Sequence, residues 1–112
     1  MKIDPELEQW NRQLKELPTI VAVDFDGYLT KDGTMDPNMR HVRKVWRLQR
    51  KGCLIVLWSC RVGRHLDEAF WWCRDYDIYP DTINQNVQAV VDITGYDSRK
   101  IHADIYLDDK NG

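Results

Sequence analysis

The chain has 112 residues, the size of one small domain, which excludes a multidomain enzyme and leaves no length for a separate substrate lid. Apolar residues make up 43% of it, with five Trp, five Tyr and two Phe, enough for one shared core at a size where only about two-thirds of the unfolded surface is buried. With 16 Lys plus Arg against 18 Asp plus Glu the net charge is −2, so general attraction to nucleic acid is not indicated and function has to come from a local site.

Met1 to Leu17 sets Leu7, Trp10, Leu14 and Leu17 at spacings of three and four among charged neighbours, which predicts an amphipathic helix over 1–17, ended by Pro18. Such a stripe serves either for docking and dimerisation or, more simply, for packing on its own domain. Thr19-Ile20-Val21-Ala22-Val23 is a strand-length apolar run that ends abruptly in Asp24-Phe25-Asp26-Gly27, the pattern of a strand buried on both faces. Asp36-Pro37 supplies an N-cap and a first-turn proline for a helix with Met39, Val42, Val45, Trp46 and Gln49 along one side, closed by Gly52. A second buried strand, Leu54 to Trp58, ends in Ser59. Gly63 leads into a helix from His65 to Tyr76 with Leu66, Ala69, Phe70 and Cys73 as its stripe. Thr82-Ile83-Asn84 reads as a third, very short strand, Val87 to Ile93 fits strand or helix, and Ile101 to Leu107 is a strand running into Asp108-Asp109.

Alternating strands and helices predict an α/β chain, with a mostly parallel sheet covered on both faces, because parallel neighbours need crossover connections. Cys53, Cys60 and Cys73 are an odd number with no leader pattern, which implies no disulfide framework and points to a reduced, cytoplasmic setting. The longest apolar run, Leu54 to Trp58, is far short of a membrane helix, so no membrane partner is expected.

In open α/β sheets ligands bind beyond the carboxyl ends of the strands, where Asp24, Asp26, Ser59, Asp108 and Asp109 fall. An Asp-x-Asp pair alone is ordinary turn chemistry, and Ser59 alone is an ordinary strand-end hydroxyl. The joint pattern is less ordinary, because three apolar runs all end in such residues. Gathered carboxylates repel unless a cation relieves them, and all-oxygen ligation by acids favours Mg²⁺ with a phosphate substrate. With the metal neutralising the phosphate, one carboxylate can attack phosphorus while another serves as acid and then base. Ser59 and Lys100 can hold phosphoryl oxygens, and Arg61, Arg64 and His65, close behind Ser59, can contact a phosphate or leaving group or simply start a solvated helix.

Val23-Asp24-Phe25-Asp26-Gly27-Tyr28-Leu29-Thr30 resembles the first motif of the haloacid dehalogenase-like (HAD) hydrolase superfamily. Leu57-Trp58-Ser59 resembles the second, Lys100 the third and Asp108-Asp109 the fourth, in the family's order, and the resemblance spans Thr19 to Lys110. It implies a three-layer Rossmann-like fold over a single domain of residues 1–112 with no cap domain, since neither gap between motifs has room for one. It implies a phosphatase that forms an aspartyl-phosphate. Asp24 would be the nucleophile, Asp26 the acid/base, Ser59 and Lys100 the phosphoryl holders, and Asp24, Asp26, Asp108 and Asp109 the Mg²⁺ site. The family usually has Thr or Val where this chain has Tyr28, which bears on the shape of the pocket. A capless site has to be covered by a large substrate or a second copy of the chain. Nucleotide, sugar phosphate, phosphoprotein and nucleic-acid end all remain open as substrate, and a homo-oligomer remains open as assembly.

No cysteine is followed by Arg at the spacing of a cysteine phosphatase. Cys53, Cys60, His65 and Cys73 lack the paired spacing of a zinc finger, and there is no Gly-rich phosphate loop. A receiver domain carries similar residues in a different order. The remaining alternative is a catalytically silent relative that works as a binding or regulatory module.

Overall fold

The computed structural model describes residues 4–95, 97 and 101–109. Four strands, β1 (Ile20–Asp24), β2 (Leu54–Trp58), β3 (Thr82–Ile83) and β4 (Ile105–Leu107), form one sheet in the order β3-β2-β1-β4, and every pair is parallel. Parallel neighbours require crossovers, and helices α2 (Met39–Arg50), α3 (Gly63–Asp75) and α4 (Gln88–Thr94) supply them. The protein is therefore α/β, with helices on both faces of the sheet.

Alternation along β1 sorts the two faces. Val21 and Val23, with Ile55 and Leu57 of β2, face a core completed by Val42 and Val45 of α2 and by Ala69, Trp72 and Cys73 of α3. Ile20 and Ala22, with Val56, face Val87 and Val90 of the α4 region, joined by Leu14 and Leu17 from the end of α1 (Pro5–Lys15). Both faces of the central strands are buried, which is why their sequences read as continuous apolar runs.

Several element boundaries differ from the sequence reading. Asp4 caps α1, accepting the Glu6 N–H at 2.9 Å, with Pro5 in the first turn. α1 buries no residue fully and leaves Leu7 49% exposed, while Leu14 at its far end packs on the body. α2 is capped by Asn38 rather than by Asp36-Pro37. The Asp36 carbonyl accepts from Lys31 N at 2.8 Å and Pro37 bridges Thr30 antiparallel, so the chain is still extended there. On α3 the buried face is Ala69, Trp72 and Cys73, while Phe70 is half-buried and stacks edge-on with Trp71. Trp72 takes the inward position because its indole donates to Met35 O at 2.9 Å and its ring meets Phe25 edge-on at 5.2 Å. Val87 to Ile93, which fitted either element, is helical from Gln88 and closes on Gly95 in a left-handed conformation. The strand expected over Ile101 to Leu107 forms only from Ile105, because the Tyr106 hydroxyl donates to Ile101 O (2.6 Å) and accepts from Ala103 N (3.1 Å), which holds 101–103 out of the ladder.

Among the described residues no helix is long and apolar enough to cross a membrane. Cys53, Cys60 and Cys73 are free thiols; Cys73 is buried, and burial pushes its thiol up to about 12.

Candidate functional site

Asp24 ends β1 with extended backbone and stands opposite Trp58 at the end of β2. The chain then turns at once. Asp26 (φ −72°, ψ 125°) and Gly27 (φ 82°, ψ −5°) occupy the two central positions of a type II turn, whose second position needs positive φ and therefore glycine. Thr30, fully buried, closes the loop: its hydroxyl donates to Phe25 O at 3.4 Å and accepts from Gly27 N at 3.3 Å. Phe25 points into the core, as expected of the residue between two site aspartates, and Asp26 faces solvent.

Burial raises the Asp24 carboxyl from 3.8 to about 6, and the charges of Asp109, Asp26 and Asp108 push the same way against a hydrogen bond from the Phe25 N–H. The other three site aspartates are thus close enough to act on Asp24. Asp24 and Asp108 also share the wall of one cavity of about 250 Å³. Among the described residues no set of three or more His, Cys, Asp or Glu side chains converges into a preformed metal cage. Two carboxylates plus water and substrate phosphate are what Mg²⁺ commonly takes, and the mutual repulsion of these aspartates is what a cation would relieve, so Asp24 and Asp108 fit that ion.

Ser59 is buried at the end of β2. Its N–H donates to Asn84 Oδ1 at 2.8 Å and its Oγ accepts from Arg61 N at 3.0 Å. Asn84 sits at φ 55°, a left-handed conformation that Asn tolerates, and its own N–H bonds Leu57 O, so β3 hands a side chain across to the Ser59 loop. Among the described residues no acceptor takes the hydroxyl proton of Ser59.

The sequence offers Arg61 as a contact to a phosphate or leaving group or as part of a solvated helix start. In the structure its guanidinium forks onto Asp26, with Nε to Oδ2 at 2.9 Å and to Oδ1 at 3.2 Å, and Nη2 to Oδ1 at 2.9 Å. The fork is backed by the Phe25 ring, 5.1 Å from the guanidinium carbon, and by His65 O at 3.3 Å. Both oxygens of the candidate acid/base are therefore engaged. Arg64 lines a groove with Met35, Asp67 and Trp71, and the His65 side chain is exposed. Lys100 lies outside the described residues. Tyr28 is fully buried, stacked at 4.0 Å on His41, whose Nδ1 lies 2.7 Å from Tyr28 O. Its ring is thus directed to α2 and is absent from the cavity wall.

Sequence reasoning missed Asn84, Thr30, Tyr106 and the partner of Arg61. Asn84 had a faint signal, an Asn directly after a very short strand; the Arg61 contact joins two loops and had none.

No protein-family model matches the chain, and no curated protein does. A solved structure of a conserved protein coded by a locus of Bacteroides thetaiotaomicron is similar, at 32% identity and a TM-score of 0.71 over 85% of this chain and 78% of that one.

Proposed function

We propose that the chain, which belongs to the same family as that Bacteroides thetaiotaomicron protein, is by its own four motifs a Mg²⁺-dependent HAD-like phosphohydrolase that cleaves a phosphate monoester through an aspartyl-phosphate on Asp24. The observation that carries the reading is Asp24 itself: a half-buried carboxylate at the end of a central parallel strand, crowded by three others and sharing a cavity with Asp108. Such crowding at a strand end supports a cation and an anionic substrate there. The bound ion would neutralise the phosphate and polarise its oxygens.

An Asp24 oxygen attacks phosphorus, the bond to the leaving oxygen breaks, and the carboxylic acid of Asp26 gives that oxygen its proton, releasing an alcohol. Water then attacks phosphorus, Asp26 takes the water's proton, and inorganic phosphate leaves with Asp24 restored. Ser59 donates its hydroxyl proton to a phosphoryl oxygen, and Lys100, by its place in the third motif, adds a positive charge. Arg61 has to release an Asp26 oxygen before the acid can act. Three free thiols are in keeping with a reduced, cytoplasmic setting.

That same fork favours a second reading, a catalytically silent module in which Arg61 and Asp26 are a structural pair. Hydrolysis of a generic aryl phosphate with and without Mg²⁺ separates the two: metal-dependent turnover supports the enzyme, and no turnover with any ester tried supports the module. Asp26→Asn is expected to lose most activity with poor leaving groups, whose departure depends on its proton.

A further inference from the structure

The proposed chemistry uses Asp24 but not the residues around it on the same face of the sheet. In the parallel ladders Asp24 pairs with Trp58 of β2 and Ala22 with Tyr106 of β4. Partners across a ladder, and residues two apart along a strand, project from the same face, so Ala22, Asp24, Trp58 and Tyr106 stand together. Ala22 is the small member of the row. Two strand spacings of about 4.8 Å separate β2 from β4, so two rings flank a low floor roughly 9.5 Å wide, ending at the nucleophile.

The cavity of about 250 Å³ is this slot, closed further by Ile101 and Asp108. Trp58 and Tyr106 are 41% and 42% exposed, in contrast to the fully buried neighbours Val56 and Leu57 of β2. Tyr106 is held in place by its two hydroxyl hydrogen bonds, to Ile101 O and from Ala103 N, so one wall is rigid before anything binds. Among the described residues the charged groups on the lining are the carboxylates of Asp24 and Asp108, which disfavour a second anion there.

We propose that this slot receives the leaving group of the ester, and that the leaving group is an uncharged planar ring that stacks on Trp58, as in an aryl or nucleoside monophosphate. The inference rests on the phosphohydrolase reading, since phosphorus at Asp24 is what points the rest of the substrate over Ala22. The volume suits one or two fused rings and not a polymer. Stacking on an exposed indole supplies affinity without demanding hydrogen-bond partners, which the lining largely lacks.

The test is calorimetric titration of the dephosphorylated alcohols into the protein without metal, with phenol and adenosine as ring probes and glycerol as the ringless control. The ring probes bind and glycerol does not, and Trp58→Ser weakens ring binding by about tenfold. Ala22→Leu, which raises the floor, produces the same loss while circular dichroism stays that of the wild type. Glycerol binding as well as the rings, or ring binding indifferent to both substitutions, overturns the slot. A second copy of the chain covering Trp58, seen as a dimer that ring probes do not dissociate, overturns it as well. None of these titrations needs turnover. Ring binding without hydrolysis of any ester therefore overturns the phosphohydrolase reading alone, and hydrolysis indifferent to Trp58 overturns the slot alone.

Discussion

The two ends of the sheet use the same residue type to opposite effect. At the amino edge Asp104, just before β4, accepts the Ile20 N–H on its carboxylate and donates its own N–H to Ile20 O, both at 2.8 Å. Asp81, just before β3, does the same with Ile55, both at 2.7 Å. Each outer strand is thus opened by an aspartate clamped to a central strand, and each carboxylate takes a backbone donor on one oxygen. At the carboxyl edge Asp24, Asp26, Asp108 and Asp109 crowd together, and Asp24 carries the consequence in its raised carboxyl. The contrast separates an acid that closes a ladder from an acid left over for a ligand.

Removing a clamp is expected to have the largest effect on stability. Asp104→Ala leaves the N–H of fully buried Ile20 without its partner and should cost about 1–3 kcal/mol in urea unfolding; a loss within error would mean the clamp is replaced by solvent at no cost. At the other edge the sign reverses. The Asp24 carboxyl, at about 6 in the folded protein against 3.8, binds its proton more tightly when folded. Its contribution is therefore most favourable below about pH 4 and is lost as pH rises to about 6. Asp24→Asn should gain about 1–2 kcal/mol at pH 7, after discounting for solvent access, and little at pH 4. A variant destabilised at pH 7 would show that the cluster does not repel.

The smallest effect belongs to Arg61→Gln. The pair it breaks is partly exposed, with side-chain exposures of 20% for Arg61 and 49% for Asp26, so stability should fall by less than about 1 kcal/mol. The informative readout is kinetic. With the fork gone, the ratio of kcat for poor over good leaving groups should not fall, whereas a fall would show that Arg61 helps Asp26 deliver its proton.

Much of this contrast was readable in the sequence at the carboxyl edge and little at the amino edge. Runs such as Ile20–Val23 and Leu54–Trp58 are apolar throughout because both faces are covered, and the first acid after such a run marks the strand end. Asp81 and Asp104 stand before short, less apolar strands, where an aspartate looks like any turn residue. The expected face of α3 holds at Ala69 and Cys73, but Trp72 takes the buried place expected for Phe70, because Phe70, Trp71 and Trp72 are consecutive aromatics and only the Phe25 ring and the Met35 carbonyl decide which turns inward. The loss of Ile101–Ala103 from β4 depends on one phenol hydroxyl, which no periodicity reports. The Arg61–Asp26 fork depends on how two turns aim their side chains, a tertiary fact.

The most direct test of the central claim is trapping of a phosphate mimic on Asp24. Beryllium fluoride with Mg²⁺, followed by fluorine NMR, should give one bound fluoride species per chain in the wild type and none in Asp24→Asn. The same signal in both proteins, or no signal in the wild type, would contradict Asp24 as the nucleophile.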